Sequence, residues 1–250
     1  MLKNGFKQVG IVGIPPLAVI KALNDGGVAI HDLDAPLVTA DMESTGPYLP
    51  KVYCAVLRTV ILNALHLRLD AVYIDVGPGK CDGARYVAAV LADLLGVPII
   101  RTSNEDRAAF GTPICRSKMN LTEKMTRITA GVQVAAGPVD RLPACLPTAG
   151  FWGVPPRDFS ILDLFPPTTH VYGWARCMEN KTPADLALEI HFNPQVPTVF
   201  FAQSFCAKTA LARALAQKHP QALYLDSDVQ AGGSAKAKIQ AFLELNGVFL

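Results

Sequence analysis

Two stretches of this sequence repeat one pattern: an apolar strand, a short loop, a cysteine, an alanine-rich helix and a second strand. The stretches are LDAVYIDVGPGKCDGARYVAAVLADLLGVPII and VPTVFFAQSFCAKTALARALAQKHPQALYL, and they coincide when Cys81 is aligned with Cys206. The shorter motifs VGIPP (12–16) and WGVPP (152–156) repeat as well, each at the end of an apolar strand. An internal repeat of this length predicts two lobes with similar folds.

Apolar runs alternate with helical patterns almost throughout the chain, which predicts an α/β fold with mostly parallel sheets. With 250 residues, of which 50% are hydrophobic, the chain can form one large core or two small ones. We therefore expect two Rossmann-like lobes, 1–102 and 150–250, that face each other across a cleft. Residues 103–149 are polar, broken and proline-rich, and are expected to form a linker or helical region. A single larger sheet is the alternative.

The two halves differ in length between the repeated motifs. Gly13 and Cys81 are farther apart than Gly153 and Cys206, and the extra residues fall around Cys54. The pattern in this part predicts one long helix over 48–67. In the second half we expect helices near 157–165 and near 182–190, and a strand within 169–174.

The loop DVGPGKCDG resembles two phosphate-binding motifs but matches neither. A P-loop would need a glycine where Ile74 stands and a hydroxyl where Cys81 stands. The glycines give GxGxxxG after a later strand, whereas a dinucleotide fingerprint is GxGxxG after the first strand. As geometry, Gly77 and Gly79 permit a tight turn between a strand and a helix.

The cysteines of the repeat suggest a metal site. Cys81 stands at a predicted helix N-terminus, where the helix dipole stabilises a thiolate, and the repeat gives Cys206 the equivalent place. Ligands of open α/β sheets bind at the carboxyl ends of the strands, so both thiols would face the cleft, where Cys54 could join them. Three thiolates suit an iron–sulfur cluster better than structural zinc, which usually shows paired CxxC spacing. Buried free thiols are the alternative for these three, and the expectation for Cys115, Cys145 and Cys177.

Several other residues are candidates for the lining of the cleft or for contact with the cysteines. Two glycine–proline turns end apolar strands, and Lys80 could offset the charge of a cluster or a phosphate. Asp82 is expected to interact with the start of its helix, and a role in proton transfer would require it in the cleft. The full set of these candidates is Gly13, Pro15, Gly79, Lys80, Asp82, Gly153, Pro155 and Ser204.

The charge of the chain argues against nucleic acid or membrane as a partner. The formal net charge is only +2, and the 23 basic residues form no run or aromatic-interleaved patch. The longest apolar stretch, 52–69, contains two arginines and a histidine, so it is not expected to cross a membrane. Proline interrupts the apolar run near the N-terminus, and no small-residue cleavage site follows, so we expect a cytoplasmic protein.

In three segments around these cysteines the chain resembles the 2-hydroxyacyl-CoA dehydratase and benzoyl-CoA reductase family, which includes double-cubane cluster proteins. The segments are YLPKVYCAVLRTVI, AVYIDVGPGKCDGAR and VFFAQSFCAKTALA. GFWGVPPRDFSILDLF resembles the start of the family's second lobe, and GGSAKAKIQAFLELNG resembles its terminal helix. In their order and spacing, these segments extend over most of the chain outside 103–148.

The resemblance implies two Rossmann-like lobes and an oxygen-sensitive iron–sulfur cluster held by Cys54, Cys81 and Cys206. A 4Fe–4S cluster is expected, with a double-cubane cluster as the alternative. The resemblance also implies an enzyme or enzyme subunit that transfers low-potential electrons to a small-molecule substrate, for dehydration or reduction. It implies a dimer with an identical or homologous subunit, and an ATP-dependent iron–sulfur activator as electron donor.

Two other hypotheses remain open from the sequence. The chain could be a Rossmann-type enzyme that binds a nucleotide or S-adenosylmethionine at the glycine-rich loop and has inert cysteines. It could also be a non-catalytic protein that binds or assembles a metallocofactor. The presence of iron and sulfide would distinguish an iron–sulfur protein from the nucleotide-binding enzyme. Turnover of a substrate would distinguish an iron–sulfur enzyme from the non-catalytic metallocofactor protein.

Overall fold

The first lobe is built on a four-stranded sheet. The computed structural model describes residues 5–137 and 142–248. A short 3-10 helix, Met42–Thr45, precedes the second α-helix of this lobe. In chain order the main elements are β1 (Gln8–Val12), α1 (Leu17–Asp25), β2 (Ala29–Asp32), α2 (Ala55–His66), β3 (Ala71–Asp75), α3 (Asp82–Leu95) and β4 (Ile99–Thr102).

Two helices, α4 (Pro113–Arg116) and α5 (Leu121–Gly131), lead to the second lobe. Its 3-10 helix, Phe159–Leu164, follows the first strand. Within the described residues, no helix has both the length and the apolar character needed to cross a membrane. The main elements of this lobe are β5 (Gly150–Gly153), β6 (His170–Tyr172), α6 (Trp174–Asn180), α7 (Leu186–Ile190), β7 (Thr198–Gln203), α8 (Lys208–Lys218), β8 (Ala222–Ser227) and α9 (Gly233–Leu245).

The two sheets have the same topology, as the sequence repeat predicts. The strand orders are β2-β1-β3-β4 and β6-β5-β7-β8, and all of these pairings are parallel. The strands β3 and β7 lie inside their sheets and are buried along their whole length, as expected for parallel strands that are covered on both faces. The predicted α/β fold with two lobes is therefore confirmed, and both sheets are wholly parallel.

The region between the sheets is packed into the main hydrophobic core. This core joins Val9 and Ile11 of the first sheet to Phe151 and Phe201 of the second, and Met125 of α5 belongs to the same cluster. Residues 113–131 therefore connect the lobes through buried contacts as well as through the chain. The predicted boundaries at 102 and 150 stay a prediction, and part of the predicted linker, 138–141, lies outside the described residues.

The structure corrects some of the predicted elements. The helix predicted over 48–67 begins only at Ala55, because residues 50–53 form a turn in which the Tyr53 amide donates to the carbonyl of Pro50. The segment near 157–165 is a 3-10 helix, and the helix predicted near 182–190 is confined to α7. The strand predicted within 169–174 ends at Tyr172, because Gly173 adopts a φ of 75° and α6 begins after it.

Candidate functional site

Three cysteines stand at the starts of three different helices and line one cavity. Cys54 is the N-cap of α2, Cys81 is the N-cap of α3, and Cys206 lies two residues before the start of α8. The cavity has a volume of about 290 Å³. We call it the interlobe cavity; its lining includes Cys54, Lys80, Cys81, Arg157, Trp174 and Cys206.

The thiols of Cys54 and Cys206 are in contact with each other, although they belong to different lobes. The interaction between the two thiols, together with burial, raises the pKa of the Cys54 thiol. The same interaction lowers the pKa of Cys206. Next to this pair, the amide of Ala55 donates to the carbonyl of Ser204 over 3.4 Å. The start of α2 is thus joined to the loop before α8.

The chemistry of the three side chains fits an iron–sulfur cluster. Thiolates are the usual ligands of such clusters, and all three cysteines stand at or near the N-termini of α2, α3 and α8. Within 5–137 and 142–248, no group of three or more His, Cys, Asp or Glu residues is arranged around a single-metal position. The three thiols line one cavity from two lobes but do not form a ready-made cage for one ion.

Three carboxylates and a lysine line the first-lobe side of the interlobe cavity. Lys80 lies with its Nζ atom 3.5 Å from the Oδ2 atom of Asp75, and both side chains are buried. The Gly13 amide donates to Asp34 over 2.6 Å, and the Asp34 amide donates to Asp32 over 3.1 Å. Burial raises the pKa of each of these carboxyl groups and lowers the pKa of Lys80.

The ring of Trp174 in the second lobe contacts two lysines, Lys80 and Lys208, that lie close in sequence to Cys81 and Cys206. The Nζ atoms of Lys80 and Lys208 lie 4.1 and 4.3 Å from the centroid of the Trp174 ring. Lys208 also forms a salt bridge with the mostly buried Glu189. Cation–π contacts with one ring hold both ammonium groups near the cysteine-bearing helix starts.

The glycine-rich loop between β3 and α3 is packed closely against the rest of the protein. Gly79 has a φ of +82°, and a Cβ atom there would lie 2.0 Å from the carbonyl oxygen of Pro183 in the second lobe. A Cβ atom on Gly77 would lie 2.6 Å from the hydroxyl of Ser103. These short distances explain why glycine occupies both positions, because a side chain there would clash with the neighbouring atoms.

The structure places most of the predicted candidates around the cysteines. Gly13, Gly79, Lys80 and Pro155 line the interlobe cavity. A second depression in the surface also reaches the three cysteines, and Asp82 and Ser204 belong to its lining.

The other predicted candidates have contacts elsewhere. Pro15 and Gly153 are not among the lining residues of either space. The carbonyl of Pro15 accepts from Asn104 over 3.3 Å, and a Cβ atom on Gly153 would lie 2.4 Å from the Phe201 carbonyl oxygen. The remaining cysteines, Cys115, Cys145 and Cys177, line neither space, and all six cysteines of the chain are free thiols.

Sequence reasoning missed the charged and aromatic residues that complete the cavity. Asp32, Asp34 and Asp75 each stand at or just beyond the carboxyl end of a strand, and this position could have revealed them. Arg157 and Trp174 come from a loop and from the start of α6, where the sequence offers no pattern that marks them.

The guanidinium of Arg157 has no partner among the described residues. Its Nε and Nη1 atoms are shielded from solvent and form no hydrogen bond. Its backbone amide, in contrast, donates to Gln203 over 3.0 Å, which fixes the chain at this point. Burial lowers the pKa of Arg157 to about 10, and no neighbouring acid offsets this shift.

Comparison with known proteins adds no relative to this description. No protein-family model matches the chain, and no curated protein shows a significant match. The functional conclusions below therefore depend on the residues of the chain itself and on the resemblance of the cysteine-bearing segments described above.

Proposed function

We propose that this chain is an iron–sulfur protein of the 2-hydroxyacyl-CoA dehydratase and benzoyl-CoA reductase type, with its cluster held by Cys54, Cys81 and Cys206. A bound 4Fe–4S cluster would supply low-potential electrons to a small-molecule substrate. The observation that carries the proposal is that two lobes contribute thiols, each beside a helix start, to one cavity.

The surroundings of the thiols are suited to an anionic cluster. Lys80 directly precedes Cys81 and Lys208 follows Cys206 by two residues, and the ammonium groups of both lysines contact the Trp174 ring. Positive charge and helix N-termini near thiolate ligands stabilise their ionised form, and burial limits contact with water. The residues of this chain would thus bind the cluster, offset its charge and shield it.

The packing of the glycine-rich loop favours this proposal over nucleotide binding. Gly79 lies against Pro183 and Gly77 against Ser103, so both glycines are explained by close contacts within the protein. Lys80 is engaged with Asp75 and with Trp174 rather than extended towards solvent. A phosphate-binding loop would instead leave its backbone amides and its lysine open to the ligand.

The proposal extends to partners and location. We propose an enzyme or enzyme subunit that forms a dimer with an identical or homologous subunit and receives electrons from an ATP-dependent iron–sulfur activator. Six free thiols are typical of a reducing compartment, and we include a cytoplasmic location in the proposal. A metallocofactor assembly protein would use the same thiols, but it would release its cluster to an acceptor without substrate turnover.

Anaerobic reconstitution with iron and sulfide tests the assignment of the three cysteines. We expect the wild-type chain to acquire the broad visible absorption of an iron–sulfur cluster. Cys54→Ala, Cys81→Ala and Cys206→Ala should each lower the bound iron strongly, because each removes one ligand. Cys145→Ala is the matched control and should bind as much iron as the wild type, since Cys145 lies outside both spaces that reach the three cysteines. Equal iron content in all five proteins would refute the assignment.

A further inference from the structure

Among the described residues, the interlobe cavity contains three basic side chains, and one of them has no acidic partner. Lys80 is paired with Asp75, and Lys208 is paired with Glu189. The guanidinium of Arg157 has neither an ion pair nor a hydrogen bond among the described residues. Two of its three guanidinium nitrogens, Nε and Nη1, are shielded from solvent without a hydrogen bond, and a ligand of opposite charge would offset the cost of this partial burial.

Most of the second-lobe residues that line the cavity with Arg157 are apolar, which limits the kind of anion that fits. They include Val154, Pro155, Pro156, Phe159 and Met178, whereas the first-lobe side carries the three aspartates. Inorganic phosphate or sulfate would lose its hydration against these apolar residues, and Lys80 and Lys208 are already paired with Asp75 and Glu189. An organic anion can place its charged end on the guanidinium and its hydrocarbon part against the apolar residues.

The geometry points to a binding site for small organic carboxylates in the interlobe cavity, with Arg157 as the residue that binds the carboxylate. Guanidinium and carboxylate groups are matched in shape and charge, and they form strong charge-assisted hydrogen bonds. The cavity of about 290 Å³ accommodates a small organic acid with a short hydrocarbon chain.

The site also indicates where such a ligand would lie. The same cavity is lined by Cys54, Cys81 and Cys206, so an acid bound to Arg157 would share the space with the three thiols. As a binding site this inference stands without the proposed function.

Calorimetric titration with straight-chain carboxylates from acetate to hexanoate tests the inference. We expect saturable binding to the wild-type chain, prepared anaerobically both with and without iron. The matching neutral amides, such as butyramide for butyrate, should bind at least about tenfold more weakly, because they lack the charge that pairs with Arg157. Inorganic phosphate should not compete with butyrate.

Variants of Arg157 separate this site from general attraction of anions. Arg157→Met should weaken butyrate binding about tenfold or more, and Arg157→Lys should weaken it less, because lysine keeps the charge but loses the planar fork. Arg101→Met, at an exposed position on β4, is the matched control and should bind butyrate as the wild type does. If Arg157→Met does not fold, the comparison of Arg157→Lys with Arg101→Met remains decisive.

Three results would overturn the inference: no saturable binding of any carboxylate, equal binding of butyrate and butyramide, or unchanged binding in the Arg157 variants. Binding to the iron-free chain separates this test from the test of the cluster. A chain that binds carboxylates but no iron would support the site and contradict the proposed function. A chain that binds iron but no carboxylate would support the proposed function and contradict the carboxylate site.

Discussion

The thiols of Cys54 and Cys206 lie close enough to shift each other's pKa across the junction of the two lobes. Cys54 caps α2 of the first lobe, and Cys206 precedes α8 of the second. Cys206 also packs against the hydrophobic cluster of the first lobe. The candidate ligands are therefore brought together by the packing of the lobes, and the site depends on the relative position of the two sheets.

This contact predicts a disulfide in the iron-free chain. Oxidised glutathione should convert Cys54 and Cys206 to a disulfide. The two protein thiols lose two electrons and two protons, and one molecule of oxidised glutathione takes them up and becomes two molecules of reduced glutathione. Peptide mapping by mass spectrometry without reduction should find the peptides of Cys54 and Cys206 linked. Cys206→Ser should abolish this linkage. Linkage of Cys54 to another cysteine, or no linkage, would contradict the observed proximity.

The approach of Gly79 to Pro183 predicts that Gly79→Ala destabilises the protein. The new Cβ atom would lie 2.0 Å from a backbone oxygen, so one of the lobes would have to shift. Gly96→Ala is the control, because Gly96 also has a positive φ but a Cβ atom there would have no neighbour within 4 Å. Gly96→Ala should cost about 1–2 kcal/mol for the left-handed backbone alone.

Urea denaturation of the two glycine variants measures the difference. Gly79→Ala should lose clearly more unfolding free energy than Gly96→Ala, because it carries the backbone strain and the clash with Pro183. Equal losses in the two variants would show that the loop does not pack against the second lobe as described.

The buried Lys124 predicts a rise in stability at alkaline pH. Burial lowers the pKa of Lys124 from 10.5 to about 8. In the unfolded chain the pKa keeps its usual value, so between these two values the unfolded state binds more protons than the folded state. The contribution of Lys124 to the unfolding free energy therefore rises with pH across this window, by at most about 1.4 kcal/mol per pH unit. Below the window, the cost of burying the charge is present in full.

Comparison with Lys124→Met isolates this contribution from other titrating groups. The unfolding free energy of the wild type relative to Lys124→Met should increase as pH rises through the window. Lys21→Met is the control, because Lys21 is exposed and pairs only with the exposed Asp25. Its difference from the wild type should stay nearly constant. A constant difference for Lys124→Met as well would contradict a lowered pKa.

The sequence repeat was sufficient to predict the two lobes, since it contains strand, loop, cysteine and helix in the same order twice. The alignment of Cys81 with Cys206 also predicted that both would face one space, and the structure shows them lining one cavity. These features are local or repeated, and apolar periodicity together with the end of a strand is enough to detect them.

The other residues of the cavity are brought together by tertiary contacts, which no local sequence pattern predicts. Trp174 begins α6, a helix of seven residues after a glycine, which is too short to show a helical period. Arg157 follows two prolines in a loop, and only the packed structure shows that its guanidinium lacks a partner among the described residues. The start of α2 was misplaced because the sequence before Cys54 is apolar enough to continue a helical pattern, although the backbone turns there.

The iron and acid-labile sulfide content of anaerobically purified chain tests the central claim most directly. The proposed cluster predicts about four iron and about four sulfide per chain, with the thiolates of Cys54, Cys81 and Cys206 as protein ligands. A colourless protein that contains neither iron nor sulfide, both as purified and after anaerobic reconstitution, would contradict the account.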